Sequence, residues 1–181
     1  GRHLHALANG MDDRAVIPEP GLKSVGHEET FAEDHHDATA LGRELARLAD
    51  AVGRRLRAHG LTGRTVVLKV RFGDFQTITR SVTLPDATDS GRIVARAAQG
   101  LLAEIDVSVG VRLIGVSVSS LAPVGTEQLT LDGPTDWTEA DRTMDRIRDR
   151  FGVDAIAPAV SLREDGVRAK RRGDQLWGPG A

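Results

Sequence analysis

Lys69 and Arg71 stand two residues apart, and Thr77, Thr79 and Ser81 repeat that spacing a few residues on. A period of two sends alternate side chains to one face of a strand, so these cations and hydroxyls can share a face. Ammonium, guanidinium and hydroxyl groups together suit a phosphate backbone. The same pattern also suits an ordinary solvated sheet face, where Thr favours the strand and cations keep an edge soluble. Arg80 belongs to the same stretch: residues 54–80 hold Arg54, Arg55, Arg57, Arg64, Lys69, Arg71 and Arg80 against Asp74 alone, a local basic patch in a chain of net charge -2. The first three fall at a helix end, where cations also complement the macrodipole. His27, earlier in the chain, can either contact a phosphate or face solvent.

Other chemistry is conspicuous by absence. There is no glycine-rich phosphate loop ahead of a helix, no His-Glu-x-x-His, no nucleophile elbow and no cluster of carboxylates on adjacent strands. His35-His36 with Asp34 and Asp37 has metal-ligand residue types, but neighbouring residues point different ways and Asp37 opens a helix, so capping is the expected role and no metal site is assigned. Without cysteine there is no disulfide, thiolate site or cysteine nucleophile. No catalytic residue and no cofactor are assigned to this stretch.

The elements that must position the candidate residues follow from periodicity. Residues 64–84 read as a β-hairpin, with Val66, Leu68 and Val70 facing a core, Val67, Lys69 and Arg71 facing away, and Gly73-Asp74 expected as a two-residue primed turn in which glycine supplies the positive φ. Residues 23–31 read as a strand. A helix over 38–58 is capped by Asp37, carries Leu41, Leu45, Leu48, Val52 and Leu56 on one face, and ends at Gly60. Residues 85–90 read as a turn, followed by a helix with Ile93, Ala97, Leu101 and Ile105 inward, and residues 111–121 as the last strand. The order β-α-β-β-α-β predicts an α+β fold, a four-stranded sheet with two helices on one face and the other face open.

Around this unit, residues 1–16 read as the helical end of a preceding region and 17–22 as a proline-broken linker, leaving 23–121 as the domain. Residues 122–181 read as a flexible tail with a short helix at 138–151, which could pack weakly or bind a partner, and a basic end at 168–173. No run of about 18 apolar residues and no signal peptide is present, so the expected location is cytoplasmic. Aromatic residues make up 3% of the chain and Tyr is absent. That is a poor basis for stacking single-stranded bases.

Several runs match a known family in order and spacing. Gly10-Met11-Asp12-Asp13-Arg14-Ala15-Val16, then Lys23-Ser24-Val25-Gly26-His27-Glu28-Glu29-Thr30-Phe31, then Asp74-Phe75-Gln76-Thr77, then residues 111–121, resemble the C-terminal part of Y-family DNA polymerases of the DNA polymerase IV class. The resemblance covers roughly residues 1–131. It implies that 23–121 is the little finger, which crosses the major groove and grips template and primer phosphates, with 1–16 the end of the thumb. By the same resemblance Ser24, Gly26, His27, Lys69, Arg71, Thr77, Thr79, Arg80 and Arg112 would line the DNA face.

Gln128-Leu129-Thr130-Leu131 resembles the start of the motif by which bacterial polymerases dock on the sliding clamp, although Asp132 stands where an aromatic is often found. The residues implied for the clamp are Gln128, Leu129 and Leu131, with Gln175-Leu176-Trp177 a second, weaker candidate. Such an anchor raises the local concentration of polymerase at the primer end. The resemblance further implies that polymerase chemistry, with its Mg2+ ions and their carboxylates, resides in a palm upstream of Gly1, so this stretch is expected to be inactive alone, a monomer, and a partner of primer-template DNA and the clamp. Two alternatives remain open at this level: part of a catalytically dead Y-family accessory protein, or a stand-alone interaction module whose open sheet binds a protein chain.

Overall fold

In the computed structural model residues 1–12, 14–15, 21–125 and 137–161 are described. A short helix α1 (Arg2–Ala8) precedes strand β1 (Ser24–His35), helix α2 (Ala38–Ala58), strands β2 (Leu61–Phe72) and β3 (Thr77–Thr88), helix α3 (Gly91–Leu102), strand β4 (Val111–Pro123) and helix α4 (Thr138–Phe151), with a turn of 3-10 helix at Ala159–Ser161. The four strands form one antiparallel sheet in the order β1-β4-β2-β3. The expected α+β architecture is present.

The core lies between the sheet and α2 with α3. Asp37 opens α2 by accepting a hydrogen bond from the Thr39 amide at 2.8 Å, and the stripe Leu41, Leu45, Leu48, Val52 and Leu56 is fully buried. From the sheet, Val66, Leu68, Val70, Val111, Ile114, Val116 and Val118 meet that stripe. Each such aliphatic side chain contributes about 1.5–3 kcal/mol by leaving water. This burial fixes which face of every strand remains for other work.

Three sequence expectations need correction. On α3 the buried stripe is Val94, Ala95, Ala98 and Leu102, one residue away from the expected Ile93, Ala97, Leu101 and Ile105; of these Ala97, Leu101 and Ile105 pack half-buried against the core. The reason is helix contact: a Cβ on Gly53 would lie 2.6 Å from the Gly91 nitrogen, so the small side of α3 faces α2 and the larger residues flank it. The expected turn at 85–90 is mostly strand, because β3 is an edge where Pro85 has no ladder hydrogen bond to give, and the pairing slips between Gly63 and Thr65 to absorb the irregularity. Finally, Gly73 does not take the positive φ of the hairpin turn; Phe75 does, at 67°. The loop is longer than two residues, with the Phe75 amide bonded to the Phe72 carbonyl at 3.0 Å and the Gln76 amide to Asp74 at 2.8 Å. Gly73 instead lies against the carboxylate of Asp34, which a Cβ at 73 would have to push aside.

The region after the sheet also departs from a flexible tail, since α4 is docked. Arg57 of α2 donates to both oxygens of Asp145 at 2.6 and 3.1 Å and to the Asp89 carbonyl at 2.8 Å. Arg148 of α4, 4% exposed in its side chain, reaches Asp50 of α2 at 2.8 Å, and Arg54 pairs with Asp149 at 2.8 Å. An ionic network faces α2, while among the apolar residues of α4 Met144 and Ile147 are half-buried and Phe151 is 68% exposed.

Candidate nucleic-acid interface

Register decides what the open face carries. Lys69 pairs with Thr79 on one side and Gly115 on the other, and Gly115 pairs with Glu28. Directly paired residues share a face, and the face repeats every second position. The side opposite the helices therefore gathers Ser24, Gly26, Glu28 and Thr30 from β1, Leu113, Gly115, Ser117 and Ser119 from β4, Thr65, Val67, Lys69 and Arg71 from β2, and Thr77, Thr79, Ser81 and Thr83 from β3. It carries hydroxyls on all four strands, two cations, one carboxylate and no aromatic ring.

The cations are held in place. Lys69 Nζ lies 2.8 Å from Glu28 Oε2, and Arg71 Nε donates to Thr77 Oγ1 at 2.9 Å. At the far end Thr65 Oγ1 is 3.0 Å from Ser120 Oγ, brought onto this face by the positive φ of Ser120. Between them runs a shallow trough bounded by Gly26, Glu28, Val67, Lys69, Gly115 and Ser117. It exists because Gly26 and Gly115 have no side chains: a Cβ at Gly26 would lie 2.8 Å from the Ser117 Cβ, and one at Gly115 2.7 Å from the Glu28 Cβ. Bare strand positions of this kind let another backbone come close.

Such short cross-strand approaches mark the pairs that do not exchange ladder hydrogen bonds, so at Gly26 and Glu28 the amide and carbonyl of β1 point outward along the sheet edge. The Gly26 carbonyl accordingly accepts from Arg55 of α2 at 2.9 Å. An oxygen-rich anion on the open face can therefore meet hydroxyls from all four strands and the β2 cations around the glycine trough.

The predicted residues divide. Ser24, Gly26, Lys69, Arg71, Thr77 and Thr79 come together on the open face. His27 does not: it pairs with Val116 on the helix side, half-buried, its pKa lowered first by burial and then by Arg55 and Arg47, and its Nδ1 is enclosed without a hydrogen-bond partner. Arg80 likewise pairs with Leu68 on the helix side and lies along a groove with Ile78, Glu104 and Asp106. Arg112 lies where the β2–β4 register breaks and is bound to Asp34 at 2.5 Å, with its guanidinium 5.8 Å from the exposed Phe75 ring. The hydrogen bond from Arg112 holds the Asp34 carboxyl below its ordinary range.

The basic patch is also smaller than its cation count. Arg54 and Arg57 bind the aspartates of α4, Arg55 the Gly26 carbonyl, and Arg64 the Leu84 carbonyl at 3.2 Å. Sequence reasoning missed Glu28, Ser117 and Ser119; the alternation of 113, 115, 117 and 119 against Ile114, Val116 and Val118 would have supplied the serines. Around the suspected metal residues, Asp37 caps α2, Asp34 holds Arg112 and His36 Nδ1 meets the Ser108 carbonyl at 2.8 Å. Among the described residues no group of His, Asp and Glu is placed to hold a metal ion, and no helix is long and apolar enough to cross a membrane. Gln128, Leu129 and Leu131, the second candidate at 175–177 and residues 17–20 of the 17–22 linker lie outside the described residues.

Comparison with known proteins supplies a relationship. Residues 22–131 match the impB/mucB/samB family C-terminal domain. The chain is 48% identical over 139 residues to DNA polymerase IV of Streptomyces coelicolor, covering 77% of this chain and 29% of that protein. It is 46% identical over 132 residues to DNA polymerase IV of Methanoculleus marisnigri, covering 73% of this chain and 37% of that protein. The chain thus spans about a third of the length of these relatives. Among solved structures, a Y-family DNA polymerase chimera of Dbh and Dpo4 matches with a TM-score of 0.53 at 18% identity, over 67% of this chain and 35% of that one. At that identity the likeness concerns the fold.

Proposed function

The chain belongs to the impB/mucB/samB family as its C-terminal domain, the little finger of Y-family polymerases of the DNA polymerase IV class, and on that premise we propose that its open sheet face grips the phosphates of a primer-template duplex for an error-prone, lesion-bypass DNA polymerase. The observation that carries this reading is the segregation of faces. Both core helices cover one side, while the other gathers Lys69, Arg71 and hydroxyls from all four strands around a glycine trough.

Such a surface binds backbone without reading bases. Phosphate contacts fix register and orientation but carry no sequence information. A lesion-bypass enzyme needs that property, since a damaged base leaves the phosphate backbone in place. The absence of rings on this face favours duplex over stacked single strands.

The test is binding of this chain to a labelled primer-template duplex over a salt series, beside Lys69→Ala/Arg71→Ala. Sequence-independent binding that weakens steeply with salt, with the slope falling by about 2 in the double variant, is expected. Absence of binding at low salt, or an unchanged slope, overturns the reading.

The reading extends to a clamp tether at Gln128-Leu129-Thr130-Leu131, supported by sequence alone. Leu129→Ala/Leu131→Ala should then abolish binding to a bacterial sliding clamp while leaving duplex binding unchanged; retained clamp binding removes the tether from the account.

A further inference from the structure

Glu28 is the only carboxylate among the paired positions of the open face, and it stands on the edge strand β1 beside the glycine trough. Its partner Lys69 is not on a neighbouring strand: β4 lies between them, and the residue it places there is Gly115. Two strand spacings amount to about 9.6 Å, which two long side chains can bridge only by lying flat across the intervening strand. Gly115 permits this, since any side chain at that position would crowd the Glu28 Cβ. The result is an ammonium held 2.8 Å from a carboxylate beside the trough, with both side chains still reached by solvent, 35% and 53% exposed.

We propose that Glu28 competes with DNA phosphate for Lys69 and so limits the strength of the grip. The inference rests on the phosphate-gripping reading. In the free protein the carboxylate occupies the place a phosphate oxygen would take; an incoming phosphate must displace it and then bear its repulsion. An exposed ion pair has little intrinsic strength, so it yields to a polyanion while still subtracting from the affinity. A grip weakened in this way allows the domain to leave the duplex readily.

The experiment is a duplex-binding salt series on this chain, on Glu28→Gln, on Lys69→Ala and on the double variant, with Glu104→Gln as a control that removes an exposed carboxylate on the helix side. Glu28→Gln should bind about three- to tenfold more tightly at low salt, because phosphate no longer has to displace a carboxylate from Lys69 and then bear its repulsion, and the gain should shrink as salt screens that repulsion. That gain should be largely lost in the Lys69→Ala background, and Glu104→Gln should show none. No gain in Glu28→Gln, an equal gain without Lys69, or an equal gain from Glu104→Gln overturns the inference while the grip reading stands. Failure of all the proteins to bind overturns both.

Discussion

Removing Arg57 should unseat α4. Its side chain is 7% exposed, donates to both Asp145 oxygens and the Asp89 carbonyl, and lies 3.6 Å from Asp141. Arg57→Ala would leave Asp145 and Asp141, 17% and 11% exposed, without their shared guanidinium, and Asp145 with Arg148 Nη1 at 3.9 Å. Breaking one side of a buried pair costs about 3–5 kcal/mol; residual exposure and Arg148 bring the expectation to about 2–3 kcal/mol. Removing Asp145 as well relieves part of that, so a double-mutant cycle should return a coupling of about 1–2 kcal/mol. Urea denaturation gives the energies, and hydrogen exchange shows where they act: α4 amides should lose protection while those of β2 and β4 keep theirs. A loss below about 0.5 kcal/mol, or a coupling near zero, would refute the claim that ions hold this helix.

Two further perturbations test the helix side. Ala is a better helix former than Gly by about 1 kcal/mol, yet Gly53→Ala should destabilise by about 1–3 kcal/mol, because the new Cβ meets backbone of Asp89 and Gly91 at 2.7 and 2.6 Å; a higher urea midpoint would contradict the helix contact. His27 has a pKa lowered by burial. Its neutral form is the one the fold accepts, so stability is complete above the unfolded value of about 6.5 and declines as pH falls below it. His27→Gln should flatten the urea midpoint between pH 7.5 and 5 relative to the parent chain, and equal slopes would refute the assignment.

Much of this fold was legible because burial follows period. The Leu41 to Leu56 stripe and the alternation of Val66, Leu68 and Val70 against Lys69 and Arg71 each point to one face, and the faces meet as expected. Misreadings arose where a partner distant in sequence decides. Gly53 against Gly91 rotated the α3 stripe, and the positive φ of the hairpin loop fell on Phe75 rather than Gly73. The resemblance assigned both Gly26 and His27 to the DNA face, although strand alternation sends adjacent residues to opposite faces. Glu28 looked like one more charge until the strand order put it across Gly115 from Lys69. The docking of α4 was hidden for a different reason: its contact is an ionic network, and a search for apolar stripes passes over Asp141, Asp145 and Arg148.

The central claim concerns which face meets DNA, and the absence of cysteine permits a direct measurement. Single cysteines at Thr79 and Ser81 on the open face, and at Ala103 at the end of α3 on the helix side, each give one thiol whose alkylation rate can be followed with and without duplex. The account predicts that duplex slows alkylation of Thr79→Cys and Ser81→Cys, increasingly so at low salt, and leaves Ala103→Cys unchanged. Protection at Ala103→Cys with the open-face thiols still freely alkylated would contradict it.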